Sequence, residues 1–75
     1  MGKQRLLTRE DKGLAKRIKE LRKEKEISQE ELSNRIDANL SYVVYLETGR
    51  RGTSLPMLYR IAKALNVRVK DLFIF

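Results

Sequence analysis

The fold is decided by a 20-residue stretch, QEELSNRIDANLSYVVYLET, which occupies positions 29 to 48. Leu32 and Ile36 repeat at helical spacing in its first half, and Val43 and Leu46 do so in its second half. A short segment containing Asp and Asn separates the halves, and these residues favour turns and helix caps. The stretch therefore predicts a helix, a turn of three to four residues and a second helix.

Small and capping residues support this arrangement. Ser33 lies where two helices joined by so short a turn must cross, and its small side chain permits close approach. Ser28 precedes the first helix and predicts a capping box, in which Glu31 would bond back to the cap. Asn39 can cap the second helix, and Gly49 can end it in the left-handed conformation.

The second helix is the ambiguous element. Its segment SYVVYL (41–46) is rich in β-branched and aromatic residues, and taken alone it is typical of a strand. A lone strand would leave backbone donors and acceptors unpaired, and the rest of the chain offers it no partner strand. Because a cap and a helix stop also bracket the segment, we predict a helix over residues 40–48.

The remaining sequence predicts three more helices. Apolar residues recur every three to four positions over about residues 9–25, and Ser54 caps a further helix that ends near Asn66. A short last helix follows Arg68. Five helices with short connections predict an all-α domain spanning residues 9–75.

The N-terminal segment, residues 1–8, shows no apolar periodicity. It carries Lys3 and Arg5, and we interpret it as a flexible basic arm.

Composition excludes several kinds of chemistry. The 75 residues form one small domain and include no Cys and no His. Disulfides, thiolate or imidazole catalysis and zinc sites of the usual ligand types are therefore excluded. We expect no enzyme activity, no cofactor, no metal and no small-molecule ligand.

The chain carries 17 Lys and Arg against 10 Asp and Glu, for a net charge of +7. Such an excess fits nucleic acid, anionic lipid or solubility alone. The charge is uneven, because residues 27–49 hold one basic and four acidic side chains while both flanks are basic. No apolar run is long enough to span a bilayer or to form a signal peptide, so we expect a cytoplasmic protein without a membrane partner.

Several short motifs point together to one family. They are IKELR (18–22), ISQEEL (27–32), LETGRR (46–51), LYRIAKAL (58–65) and VRVKDLF (67–73). In this order the motifs closely resemble the phage-repressor and Cro-like (XRE) helix-turn-helix family, over about residues 13–73. The resemblance implies a five-helix, lambda-repressor-like domain, usually dimeric, that binds double-stranded DNA as a transcription regulator. Its third helix would enter the major groove of a palindromic or near-palindromic operator.

The resemblance also implies roles for individual residues. The positions that read bases are Asn39, Leu40, Ser41 and Tyr45. The positions that bind phosphate are Gln29, Tyr42, Arg50 and Arg51. Arg22 and Glu47 match a pair that forms a structural ion pair between the first and third helices in many members.

The chain departs from the family pattern at several places. Glu26 and Asp37 stand where Gly is common, and Thr53 stands where Pro is frequent. At Asp37 we expect a positive φ, which Asp tolerates better than most residues. Leu40 and Tyr45 cannot make bidentate contacts to G or A, so we expect contacts to thymine methyl groups and readout of DNA shape.

Two apolar groups leave alternatives open. Leu40 and Val44 could contact thymine or form a protein-binding patch. The C-terminal residues Leu72, Phe73, Ile74 and Phe75 could plug the core or form a dimer interface, and we favour the interface. The main alternative to a regulator is thus a protein-interaction module that uses Leu40, Val44 and the C-terminus. A general nucleic-acid binder without sequence preference is a weaker third possibility.

Overall fold

A computed structural model describes residues 9–50 and 52–75, and this part of the chain is all-helical, as predicted. The elements are α1 (Arg9–Glu24), α2 (Gln29–Arg35), α3 (Leu40–Glu47), α4 (Leu55–Ala64) and a 3-10 helix (Val69–Phe73). The strand-like segment 41–46 lies within helix α3, and the fifth predicted helix is a 3-10 helix. The predicted arm, with Lys3 and Arg5, lies outside them.

One apolar core joins all five elements. Its fully buried side chains are Ile18, Leu32, Ile36, Val43, Leu46, Ile61, Leu65 and Leu72. Helices α2 and α3 pack closely, and Ser33 is buried between them. The Ser33 hydroxyl donates to the carbonyl of Glu30 at 2.7 Å, so the small polar residue is buried without losing its hydrogen bond.

The N-terminal caps are only partly as predicted. Ser28 Oγ accepts the N–H of Glu31 at 2.9 Å, and Ser54 Oγ accepts the N–H of Met57 at 3.3 Å. The carboxylate of Glu31, however, accepts from Arg35 Nε at 2.9 Å, one helical turn further on. A charged donor on the same helix face forms a stronger hydrogen bond than the neutral backbone N–H of the cap.

Each α-helix in the described ranges is followed, two residues beyond its last residue, by a residue in the left-handed conformation. These residues are Glu26 (φ 57°), Asp37 (φ 57°), Gly49 (φ 75°) and Asn66 (φ 58°). At each end the following N–H bonds to the carbonyl five residues earlier, as Ile27 N–H does to Arg22 at 3.1 Å. The expected positive φ of Asp37 is confirmed. Glu26, Asp37 and Asn66 thus adopt a conformation that is least strained for Gly, and only one of the four positions is a Gly.

The free energy of unfolding should therefore be about 1 kcal/mol larger for Glu26→Gly than for Glu26→Ala, because Ala is strained in the left-handed conformation and Gly is not. Both variants remove the same charge, so the comparison isolates the backbone. Urea unfolding of the two variants measures the difference. Equal unfolding midpoints would show that the helix end relaxes without strain.

Candidate nucleic-acid interface

Helix α3 presents one face to the core and the opposite face to solvent. Val43, Leu46 and Glu47 are buried. Ser41 and Tyr45 each lie about 160° around the helix from Val43, and both are exposed. The outer face of α3 therefore offers two hydroxyl groups, spaced one helical turn apart.

The other two predicted base-reading residues extend this exposed face. Asn39 is the N-cap residue of α3, yet its side chain makes no capping hydrogen bond. Leu40 is 46% exposed and Val44 is half-buried on the flank of the helix. Asn39 and Leu40 are thus exposed, as Ser41 and Tyr45 are, whereas Val44 is half-buried.

A buried ion pair fastens α3 to α1. Arg22 Nε donates to Glu47 Oε2 at 2.6 Å and Arg22 Nη2 donates to Oε1 at 3.0 Å. The same guanidinium donates through Nη1 to the carbonyl of Ile27 at 2.7 Å. The Glu47 side chain is only 1% exposed, so this bidentate pair fixes the orientation of α3 in a largely dry environment.

Gln29 joins the same network. Its Nε2 donates to Glu47 Oε1 at 3.1 Å, which ties the first residue of α2 to the end of α3. The sequence pattern predicts a phosphate contact for Gln29 and carries no signal for this bond. If the side-chain amide of Gln29 contacts a phosphate, that contact must share or replace the hydrogen bond to Glu47. The backbone N–H of Gln29, at the start of α2, takes no part in that hydrogen bond.

Tyr42 is anchored on the flank of α3. Its ring is half-buried against the core, and its hydroxyl lies 3.0 Å from Thr53 Oγ1. A Pro side chain at position 53 could not form this hydrogen bond. The departure at Thr53 therefore links α3 to the loop before α4, a contact with no signal in the helical periodicity.

Arg50 lies over the aromatic ring of Tyr45. Its guanidinium carbon is 5.1 Å from the ring centroid, which is cation–π geometry. The structure thus brings together one predicted phosphate-binding residue and one predicted base-reading residue. Arg51 lies outside the described residues.

The C-terminal apolar residues divide into two groups. Leu72 is fully buried in its own chain, so the structure moves it from the predicted dimer interface to the core. Its position follows from the 3-10 helix, which is held to α1 by a hydrogen bond from Arg17 Nε to the carbonyl of Asp71 at 2.8 Å. The residues that follow stay exposed, Phe73 at 47% and Ile74 and Phe75 at 61% each.

Gly13 in α1 permits a close approach by the C-terminus. A Cβ atom at Gly13 would clash with the ring of Phe75, and the Phe73 and Phe75 ring centroids are 6.3 Å apart. Phe75 therefore packs against α1 and lies beside Phe73, although both rings remain exposed.

Residues 9–50 and 52–75 contain neither a candidate metal site nor a candidate membrane span. No group of three or more Asp or Glu side chains there could hold a metal ion. None of the helices in these ranges combines the length and the apolar character needed to cross a membrane.

Comparison with known proteins gives consistent results along most of the chain. The model of a helix-turn-helix family, HTH_3, matches residues 18–72. A protein of Archaeoglobus fulgidus, named an uncharacterized HTH-type transcriptional regulator, is 41% identical over 59 residues, covering 79% of this chain and 83% of that protein. Control protein C.MunI of Mycoplasma sp is 38% identical over 58 residues, covering 76% and 78%.

A solved structure has the same fold. The restriction-modification controller protein C.AhdI from Aeromonas hydrophila superimposes with a TM-score of 0.80 at 35% identity. The match covers 83% of this chain and 94% of that one.

Proposed function

We propose that this chain, a DNA-binding transcription regulator that belongs to the helix-turn-helix family HTH_3, acts as a homodimer. The DNA site of this homodimer would be a palindromic or near-palindromic operator. Each protomer places α3 in the major groove. The observation that carries this proposal is the exposed face of α3, whose opposite side is fastened to α1 by Arg22 and Glu47. Two such helices would lie roughly 34 Å apart, which sets half-sites about one helical turn apart.

We assign the base contacts to the exposed face of α3. Ser41 and Tyr45 offer hydroxyl groups, and Asn39 offers an amide that is not used for capping. Leu40 offers an apolar surface suited to thymine methyl groups. We therefore propose a T-rich half-site in which sequence-dependent DNA shape contributes to recognition.

The phosphate contacts come from residues around α3. We assign them to Gln29 through its backbone N–H, to Tyr42, and to Arg50 and Arg51. The buried pairing of Glu47 with Arg22 supports this assignment, because it removes one of the four acidic charges of residues 27–49 from the surface that would face DNA. An intracellular location follows from a DNA target.

The regulator proposal predicts sequence-specific enrichment from a randomised duplex library. Ser41→Ala and Tyr45→Ala should each lose roughly 1–3 kcal/mol of binding free energy, and only at particular base pairs. Arg50→Ala should instead weaken binding to every duplex and reduce the slope of log affinity against log salt by about one.

The measurement is a duplex titration at two salt concentrations for the parent protein and the three variants. If the parent protein enriches no sequence, specific regulation is ruled out. If Ser41→Ala and Tyr45→Ala weaken all duplexes equally, α3 does not read bases. A protein-interaction module using Leu40, Val44 and the C-terminus is not favoured, because the matching family model and the similar proteins are those of helix-turn-helix transcriptional regulators.

A further inference from the structure

Gly49, just beyond α3, is buried although it ends a surface helix. The residue that covers it is Lys12 of α1. A Cβ atom on Gly49 would lie 3.7 Å from Lys12 Cγ and 3.9 Å from Lys12 Cα. Lys12 itself is exposed, so its aliphatic stem lies on the glycine while its ammonium group reaches water.

This contact places a second cation beside the turn that carries Arg50. Arg50 directly follows Gly49, and its guanidinium lies over Tyr45 of α3. Two positive groups, one from α1 and one from the turn, thus flank the C-terminal end of α3. The nearby carboxylate of Glu47 is paired with Arg22 and buried, so it does not cancel their charge at the surface.

The docking geometry of α3 would bring a DNA phosphate close to these two positive groups. Recognition helices contact bases mainly through their N-terminal residues. The turn that follows the other end of α3 carries Arg50, which is already assigned to phosphate. The C-terminal end of α3 therefore approaches the sugar–phosphate backbone that borders the groove.

We propose that Lys12 is a phosphate-binding residue of the DNA complex and forms, with Arg50, a two-cation edge at the C-terminal end of α3. This proposal rests on the proposed regulator function and adds a DNA contact from α1. The sequence pattern alone does not separate Lys12 from the other exposed lysines of α1, Lys16, Lys19 and Lys23. Only the tertiary contact with Gly49 distinguishes it from the others.

The test compares Lys12→Gln with Lys12→Arg on the duplex enriched by the parent protein. Gln keeps the Cγ atom that lies beside Gly49 and removes the charge. Lys12→Gln should lower the slope of log affinity against log salt by about 0.9, the value for one phosphate contact, and weaken all duplexes by the same factor. Lys12→Arg should keep the parent slope.

Lys63→Gln is the matched control, because it makes the same change in net charge. Lys63 is exposed and lies beside the C-terminal ends of α2 and α4. If Lys12→Gln changes the slope no more than Lys63→Gln does, the Lys12 contact is refuted and the regulator function stands. If the parent protein enriches no duplex, both proposals are overturned. Equal urea unfolding midpoints for the variants verify that folding is unchanged.

Discussion

Arg22→Ala should destabilise the protein by roughly 3–5 kcal/mol, the usual cost of removing one partner from a buried ion pair. Glu47 would keep a carboxylate that is 1% exposed and has lost both guanidinium hydrogen bonds, and the carbonyl of Ile27 would lose its side-chain donor. Native domains are stable by only about 5–15 kcal/mol, so a large fraction of the variant should be unfolded under mild conditions. Urea unfolding followed by circular dichroism measures the change.

Glu31→Gln provides the matched comparison at an exposed pair. Glu31 accepts from Arg35 at 2.9 Å, but both side chains are about half exposed, so the loss should stay below about 1 kcal/mol. The double variant Arg22→Met, Glu47→Leu removes both buried charges and should recover most of the loss. If Arg22→Ala lowers the free energy of unfolding no more than Glu31→Gln does, the Arg22–Glu47 pair does not hold α3 to α1.

Ile74→Glu should convert the proposed dimer to monomers and weaken binding to a two-half-site duplex by a factor on the order of 10² to 10⁴, because the second half-site would no longer bind intramolecularly. Ile74 is 61% exposed in the protomer, so the charge should not disturb the core formed by Leu72 and its neighbours. At an apolar interface the new carboxylate would lose its hydration without gaining a partner. Sedimentation and duplex titration measure the two effects.

Leu55→Glu serves as the control, because Leu55 is 60% exposed on α4 and outside the C-terminal group. It should leave the dimer intact, and Ile74→Glu should leave binding to a single half-site unchanged. Phe73→Glu provides an independent test of the same surface. A dimer that persists in both Ile74→Glu and Phe73→Glu would place the subunit interface elsewhere.

The helices could be predicted from sequence because their signals are local. Cap residues such as Ser28 and Ser54, apolar periodicity and the stop at Gly49 each act within a few positions. They also resolve the strand-like segment 41–46, where the burial of Val43 and Leu46 outweighs the modest helix penalty of the β-branched residues. Local propensity alone would have given the wrong element there.

The side-chain partners were less predictable because they depend on tertiary approach. Gln29 bonds to Glu47, 18 positions away, and Tyr42 bonds to Thr53 across a loop. The contact between Lys12 and Gly49 joins elements that no spacing rule relates. Leu72 was misassigned for the same reason, since an apolar residue near the C-terminus can face its own core or a partner, and helical periodicity over so short a segment does not decide between them.

The Arg22–Glu47 pair also has a consequence for heating. The hydration of charged groups becomes less favourable as temperature rises, so the cost of burying this pair falls, whereas the contribution of apolar burial levels off. A 75-residue chain has a thin core and depends on few interactions. The share of stability supplied by this one ion pair should therefore increase with temperature. Helix α3 should then stay packed on α1 to a higher temperature than the small apolar core alone would allow.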